Sequence, residues 1–274
     1  MKSKTVFIIL TVILFFISTR LWAQDTQWIK VDEGLYIGEF ISPQKPIVGD
    51  SKITIIKIDP KSYKLRLLTS SELNHSKMTA KQWSKKYKLI AAINAGMFQT
   101  DHKSNVGYMK NFDHLNNSRV NSKYHSVAAF NPRDKSKPVF KIYDTDEVEI
   151  TELIKSYNTV IQNLRLIKSP GHNRWSQQDK KWSEAALGQD HNGNILFIFA
   201  RSPYSMHDLN NILLKLPIKL ASAQHLEGGP EASLYFSYNN KEIELVGSYE
   251  TGFNENENNN YYWPIPNILG IVKK

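Results

Sequence analysis

The sequence contains no cysteine. That excludes disulfides, thiol nucleophiles, cysteine-held metals and lipid attachment at cysteine, so the fold must rest on packing alone. The sharp catalytic signatures are also missing. There is no Gly-x-Ser-x-Gly elbow, no His-Glu-x-x-His, no phosphate-binding P-loop and no dinucleotide fingerprint. No dense Lys/Arg stripe interleaved with aromatics is present, which argues against nucleic acid as a partner. A long membrane span is lacking too: the apolar run over residues 6–17 falls short of the ~20 residues a span needs. Lys2 and Lys4 precede that run and Ala23 follows it. This order predicts a secretory signal over residues 1–23 and a mature domain over 24–274, with a retained N-terminal anchor as the alternative. The expected location is the periplasm or the exterior, and a membrane is met only during export.

What is present suits one substantial core. Hydrophobic residues make up 41% of 274, with 13 Tyr, 12 Phe and 6 Trp, so the chain can bury enough apolar surface to fold. The formal charge is +9, and removal of Lys2, Lys4 and Arg20 leaves +6. A modest positive excess fits an anionic partner such as a phosphate-bearing glycan, and fits a soluble protein nearly as well.

The segments "WIKVDEGLYIGEFISP" and "SKITIIKIDPKSYKLRLLTSS" read as strands, with Asp59-Pro60 as a hairpin or meander turn. Thr79 and Gln82 have capping-box spacing ahead of a helix carrying Trp83 and Tyr87 on one face. Residues 89–93 form a short uncharged run, expected as a buried central strand ending at Asn94-Ala95-Gly96. Further strands are expected at "VGYMKN", "SVAAFNP", "PVFKIYD" and "NTVIQNLRLIK", and a short helix at "EVEITELIKSY". Asn192-Gly193 marks a hairpin. Ser205 starts a helix with Met206, Leu209, Ile212 and Leu213 on one face, stopped by Pro217. A strand ending at Glu227-Gly228-Gly229, a hairpin around Asn239-Asn240 and a final strand complete the chain. The expected fold is α+β, a single domain with a central mixed β-sheet flanked by a few helices.

Chemistry is sought where strands end in glycine. If the strands ending at Asn94 and Glu227 are neighbours, their polar ends converge at one sheet edge, where glycines admit a ligand. Two ordinary strand-to-loop turns are the plain alternative. Asp190, Asn192 and Asn194 resemble a fragment of a calcium loop, but the closing Glu is absent and a hairpin turn explains them. His102 beside Asp101, and His225 near Glu227, are candidate proton-transfer groups. Arg165 and Arg201 are candidate phosphate holders. Tyr261, Tyr262 and Trp263 suit either sugar stacking or burial beneath the asparagine-rich loop "NENENNN".

Three stretches, "LIAAINAGMF", "EAALGQDHNGNILFIFA" and "HLEGGPEASLY", in this order and at these separations, resemble the phosphodiester glycosidase family. The resemblance covers roughly residues 53–271. The family often shows Arg where Glu184 stands here, and Asp-Gly-Gly-Gly where Glu227-Gly228-Gly229-Pro230 stands. The resemblance implies a sugar-phosphate site with Glu227 pointing into it as base or electrostatic stabiliser. Glu231 or His225 would be its proton-transfer partner. Asn94 and the Gly96 amide would orient substrate, Gly228 and Gly229 would clear space for it, and Arg165 would clamp phosphate. No cofactor is firmly implied, though the reading leaves room for a divalent cation, calcium or magnesium. The expected function is hydrolysis of a sugar-1-phosphate linkage in a glycan or cell-envelope polymer. The alternatives are a non-catalytic glycan binder on the same scaffold, motivated by Glu184 and Pro230, and a metal-assisted phosphodiesterase.

Overall fold

A computed structural model describes residues 27–274. The expected signal over residues 1–23 lies outside the described residues. Among the described residues there are three α-helices, and every strand pairing is antiparallel. The strands form three sheets, one of eight strands and two of five. The α+β class therefore stands in its coarse form, while the single central mixed sheet is corrected to several antiparallel ones.

The sheets surround one shared core. Ile56 and Phe197 from the eight-stranded sheet meet Ile93 and Leu269 from one five-stranded sheet, and Met109 and Phe130 from the other. Each sheet then buries its outer face under one helix. Helix α1, Ala80–Tyr87, places Trp83 against Ala92 and Ile268. Helix α2, Ile150–Ser156, places Leu153 against Val127 and Val160. Helix α3, Met206–Lys215, packs Leu209, Ile212 and Leu213 on Ile53, Ile55 and Ile198. Strand Lys52–Ile58 is thus apolar on both faces: Ile56 and Ile58 point to the shared core, Ile53 and Ile55 to α3.

Local signals fix the helix starts. Thr79 accepts from the Gln82 backbone amide at 3.2 Å, and the Gln82 side chain accepts from the Thr79 amide at 2.9 Å, a closed capping box. Ser205 accepts from the Asp208 amide at 3.1 Å.

Two pairings differ from the sequence reading. The strands either side of Asp59-Pro60 do not pair with each other. Lys52–Ile58 pairs with Leu35–Ile41 and Ile195–Tyr204, whereas Tyr63–Thr69 pairs with Asn267–Lys273 in another sheet. The turn carries the chain between layers. Likewise Ala91–Asn94 is the central strand of a five-stranded sheet, while Leu220–Gly228 belongs to the eight-stranded one. Their ends are not neighbours at one sheet edge; Asn94 instead contacts the turn after the second strand, at Glu231 and Ser233.

Candidate active site

The site begins with an irregularity in strand Leu220–Gly228. It pairs with Trp182–Asp190 so that Ala185 faces Glu227 and Ala186 faces His225, leaving Leu226 as an extra residue. Leu226 is fully buried in the shared core and anchors the bulge. Bulges re-aim side chains at strand ends. Here the bulge lies between the two candidate proton-transfer residues.

His225 Nδ1 lies 2.7 Å from Glu184 Oε1 and 2.8 Å from Oε2. The other end of Glu184 is fixed by Trp182, whose indole N–H donates to Oε2 at 2.8 Å. The Trp182 and His225 rings meet edge to face. With Nδ1 facing Glu184, Nε2 has no hydrogen-bond partner among the described residues. A buried carboxylate is tolerated only with such partners.

The electrostatics follow from this burial. Burial pushes the Glu184 carboxyl above the usual range, against the pull of His225. Burial alone would lower the His225 ring, but the Glu184 charge and hydrogen bond outweigh it, and the ring is raised. Glu227 stands next in the strand end. Burial, offset in part by His225 and reinforced by Glu231, pushes it up to about 8. Glu231 is raised by burial and by Glu250, with Lys77 pulling the other way. Glu250 is raised by burial, while His225 and Lys180 pull it down. Glu184, His225, Glu227, Glu231 and Glu250 are one electrostatically connected group.

The two glycines after Glu227 have separate reasons. A Cβ on Gly228 would lie 2.7 Å from the Trp182 ring, so glycine lets the indole approach the strand end closely. Gly229 has φ +61, a left-handed conformation that favours glycine, and its open side faces the Glu250 carboxylate. Pro230 then sits in a single 3₁₀ turn, Gly229–Glu231. The asparagine-rich loop is tied onto this turn: the Asn259 side chain donates to Gly247 O at 2.6 Å and Pro230 O at 3.4 Å. Arg201 holds the same loop, donating to the carbonyls of Val246, Glu257 and Asn259.

The other sequence-derived residues have definite places. Asn94 is buried at the end of its strand. Its Nδ2 donates to Glu231 O at 3.0 Å, and its Oδ1 accepts from the Ser233 amide at 2.8 Å. It positions the Glu231 turn and does not face open space. Gly96 is buried against the Asn105 and Asn163 side chains, where a Cβ would collide. Arg165 is one strand away, and its Nη1 donates to Asp144 at 2.8 and 2.7 Å and to Asp146 at 2.7 Å. Its guanidinium is thus engaged in a part-buried ion pair rather than left free to clamp a phosphate. His102 and Asp101 are exposed and remote; Asp101 caps its own loop through the Lys103 and Ser104 amides. The Asp190 carboxylate closes the hairpin by accepting from the amides of Asn192 and Asn194. Tyr262 donates to Leu234 O at 2.9 Å, and Tyr261 is exposed. Among the described residues no group of three or more His, Asp or Glu side chains could hold a metal ion.

Sequence reasoning did not place Trp182, Glu184 and Glu250 in the site. Glu184 carried a signal, a carboxylate within an apolar strand run. Trp182 and Glu250 carried none: Glu250 lies in a loop and reaches the site through a β-bridge to Trp182.

The profile of the phosphodiester glycosidase family matches residues 87–272. No curated protein matches the sequence. Among solved structures, the fold is similar to the zebrafish N-acetylglucosamine-1-phosphodiester alpha-N-acetylglucosaminidase catalytic domain, auto-inhibited by its pro-peptide. The TM-score is 0.62 at 16% identity, over 90% of this chain and 86% of that one. A hypothetical protein from Synechocystis gives a TM-score of 0.61 at 13% identity, over 90% of this chain and 63% of that one. At such identities the structural likeness concerns the fold. The profile match spans well over half of the sequence, and the chain belongs to the phosphodiester glycosidase family.

Proposed function

We propose that this chain is an exported hydrolase that cleaves a sugar-1-phosphate diester at the anomeric carbon. Family membership supports the reaction class, and the Lys2, Lys4 and apolar 6–17 pattern supports export. The observation that carries the reading is the connected group at the bulged strand end: the Glu184–His225 pair beside Glu227, with Gly228 and Gly229 following.

The chemistry divides among these groups. Glu227, held near 8, is protonated at neutral pH. It supplies a proton or hydrogen bond to the phosphate oxygen as the C1–O bond breaks. The resemblance implied a base or electrostatic stabiliser at this position. His225, its ring raised by the Glu184 partner, offsets charge on the departing phosphate in its protonated form. Glu231 or Glu250, both in the same connected group, accepts in its ionised form a proton from the water that adds to C1, and offsets positive charge at the oxocarbenium-like centre. The bond electrons go to the phosphate oxygen, so free sugar and a phosphate monoester result. No step is assigned to a metal.

The test is hydrolysis of a panel of sugar-1-phosphate diesters in ¹⁸O-water by residues 24–274. Label in the free sugar supports cleavage at the anomeric carbon. Label in the phosphate assigns a phosphodiesterase instead. Binding without turnover of any diester assigns a glycan-binding role.

A further inference from the structure

Beside the site lies a groove that the proposed chemistry does not use. It has a volume of about 280 Å³ and is lined by Lys123, His125, Leu164, Arg165, Arg174 and Trp175 among others, with no acidic residue in its wall. The groove adjoins His225 directly: the His225 backbone amide donates to Leu164 O at 2.9 Å, and Arg165 pairs with Gln224. Adjacent strands lie about 5 Å apart, so the groove starts one strand from the His225 backbone.

Its charges are of two kinds. Arg165 is committed to Asp144 and Asp146, and His125 Nδ1 lies 3.1 Å from Asp146. Lys168 holds Asp146 and Glu147 at the edge. Lys123 and Arg174 are exposed and have no ion pair with any described residue. Trp175, in the same wall, is half-buried, with its indole N–H donating to Arg165 O at 2.5 Å. That bond fixes the ring against strand Arg165–Lys168. A fixed indole lining one groove with two cations that make no ion pair is suited to a sugar ring carrying a negative group.

We infer that the groove of Lys123, Arg174 and Trp175 is a second subsite that holds a neighbouring anionic sugar unit of an extended glycan. The inference rests on the proposed cleavage of a sugar-1-phosphate diester and specifies its substrate class: a chain with repeated negative charge, not an isolated diester. The shared chemistry is a sugar bearing phosphate or carboxylate.

The experiment compares a single diester with a trimer of the same sugar linked by phosphates, and with a diester extended by a uronic acid. The proteins are wild type and the double variant Lys123→Ala, Arg174→Ala, both changes being at exposed side chains. Two exposed charge contacts are expected to favour the trimer about tenfold in kcat/KM at low salt. That ratio falls towards one at high salt and in the double variant, and Trp175→Ala lowers it as well. Preference for the uronate-extended substrate, lost in the same variant, supports a carboxylate source. Equal kcat/KM for single and extended substrates in wild type, or a preference unchanged in the variant, overturns the subsite. If no substrate is turned over, the hydrolase reading fails separately. Calorimetric binding of the trimer then decides the subsite, with at least fivefold weaker binding by the double variant supporting it and equal binding overturning it.

Discussion

His225 Nδ1 lies 2.7 Å from Glu184 Oε1, and both side chains are almost entirely removed from solvent. The pair joins two strands of one sheet, and Trp182 locks its carboxyl end. A buried carboxyl–imidazole pair of this kind fixes the ring's orientation and favours its protonated form.

Glu184→Gln keeps a hydrogen-bonding group but removes the charge that raises His225. The ring pKa is expected to fall, and kcat to drop about 10- to 100-fold, as for loss of an orienting partner. The raised ring contributes stability that is full below its unfolded value of about 6.5. That contribution is lost as pH rises through the folded value. The stability gap between wild type and variant should therefore be wide near pH 6 and narrow at alkaline pH. Ring titration by NMR and urea melts at several pH values check both. An unchanged ring titration would remove Glu184 from its positioning role.

Glu227 gives a second test on stability. Its carboxyl is held at about 8 in the folded chain, above the ~4.3 of an unfolded glutamate. The native state binds the extra proton, so stability falls as pH rises between those values. Glu227→Gln removes that slope. The variant should melt higher than wild type at pH 8 and close to it at pH 4.5, as read by calorimetry.

Gly228→Ala places a methyl against the Trp182 indole. The expected cost is about 1–3 kcal/mol of stability, as for overpacking, with a loss of turnover because Trp182 holds Glu184. Trp182→Phe removes part of the clash, so the double variant should be more stable than the sum of single effects by 0.5 kcal/mol or more. Strict additivity would show that the ring and glycine do not share this space.

Asn94→Ala leaves the Ser233 amide and the Glu231 carbonyl without their partner. Buried unpaired groups of this kind cost about 1–3 kcal/mol each. Stability should fall and kcat should fall with it, because the Glu231 turn is released, while KM changes little. A large rise in KM alone would instead make Asn94 a substrate contact.

These sites explain how much of the molecule was legible in the sequence. The Thr79 capping box, the Ser205 cap and the Asn192-Gly193 hairpin were readable because each is settled within a few residues. Asp59-Pro60 was readable as a turn but not as a crossing between sheets, because the local signal is the same for both. Partition into three sheets depends on partners far along the chain. The site divides in the same way. Glu227 and His225 sit in a recognisable strand end. The partner that charges His225 lies 41 residues away in sequence, and Glu250 arrives through a loop with no pattern of its own.

The central claim is that Glu227 delivers a proton at the anomeric linkage of a sugar-1-phosphate diester. The most direct measurement is the pH dependence of kcat/KM on such a diester for wild type beside Glu227→Gln. Wild type should lose activity on an alkaline limb with an apparent pKa near 8. The variant should be slower by about 10²–10⁴ at neutral pH and should lack that limb. A variant that releases sugar at the wild-type rate with the same profile would contradict the account.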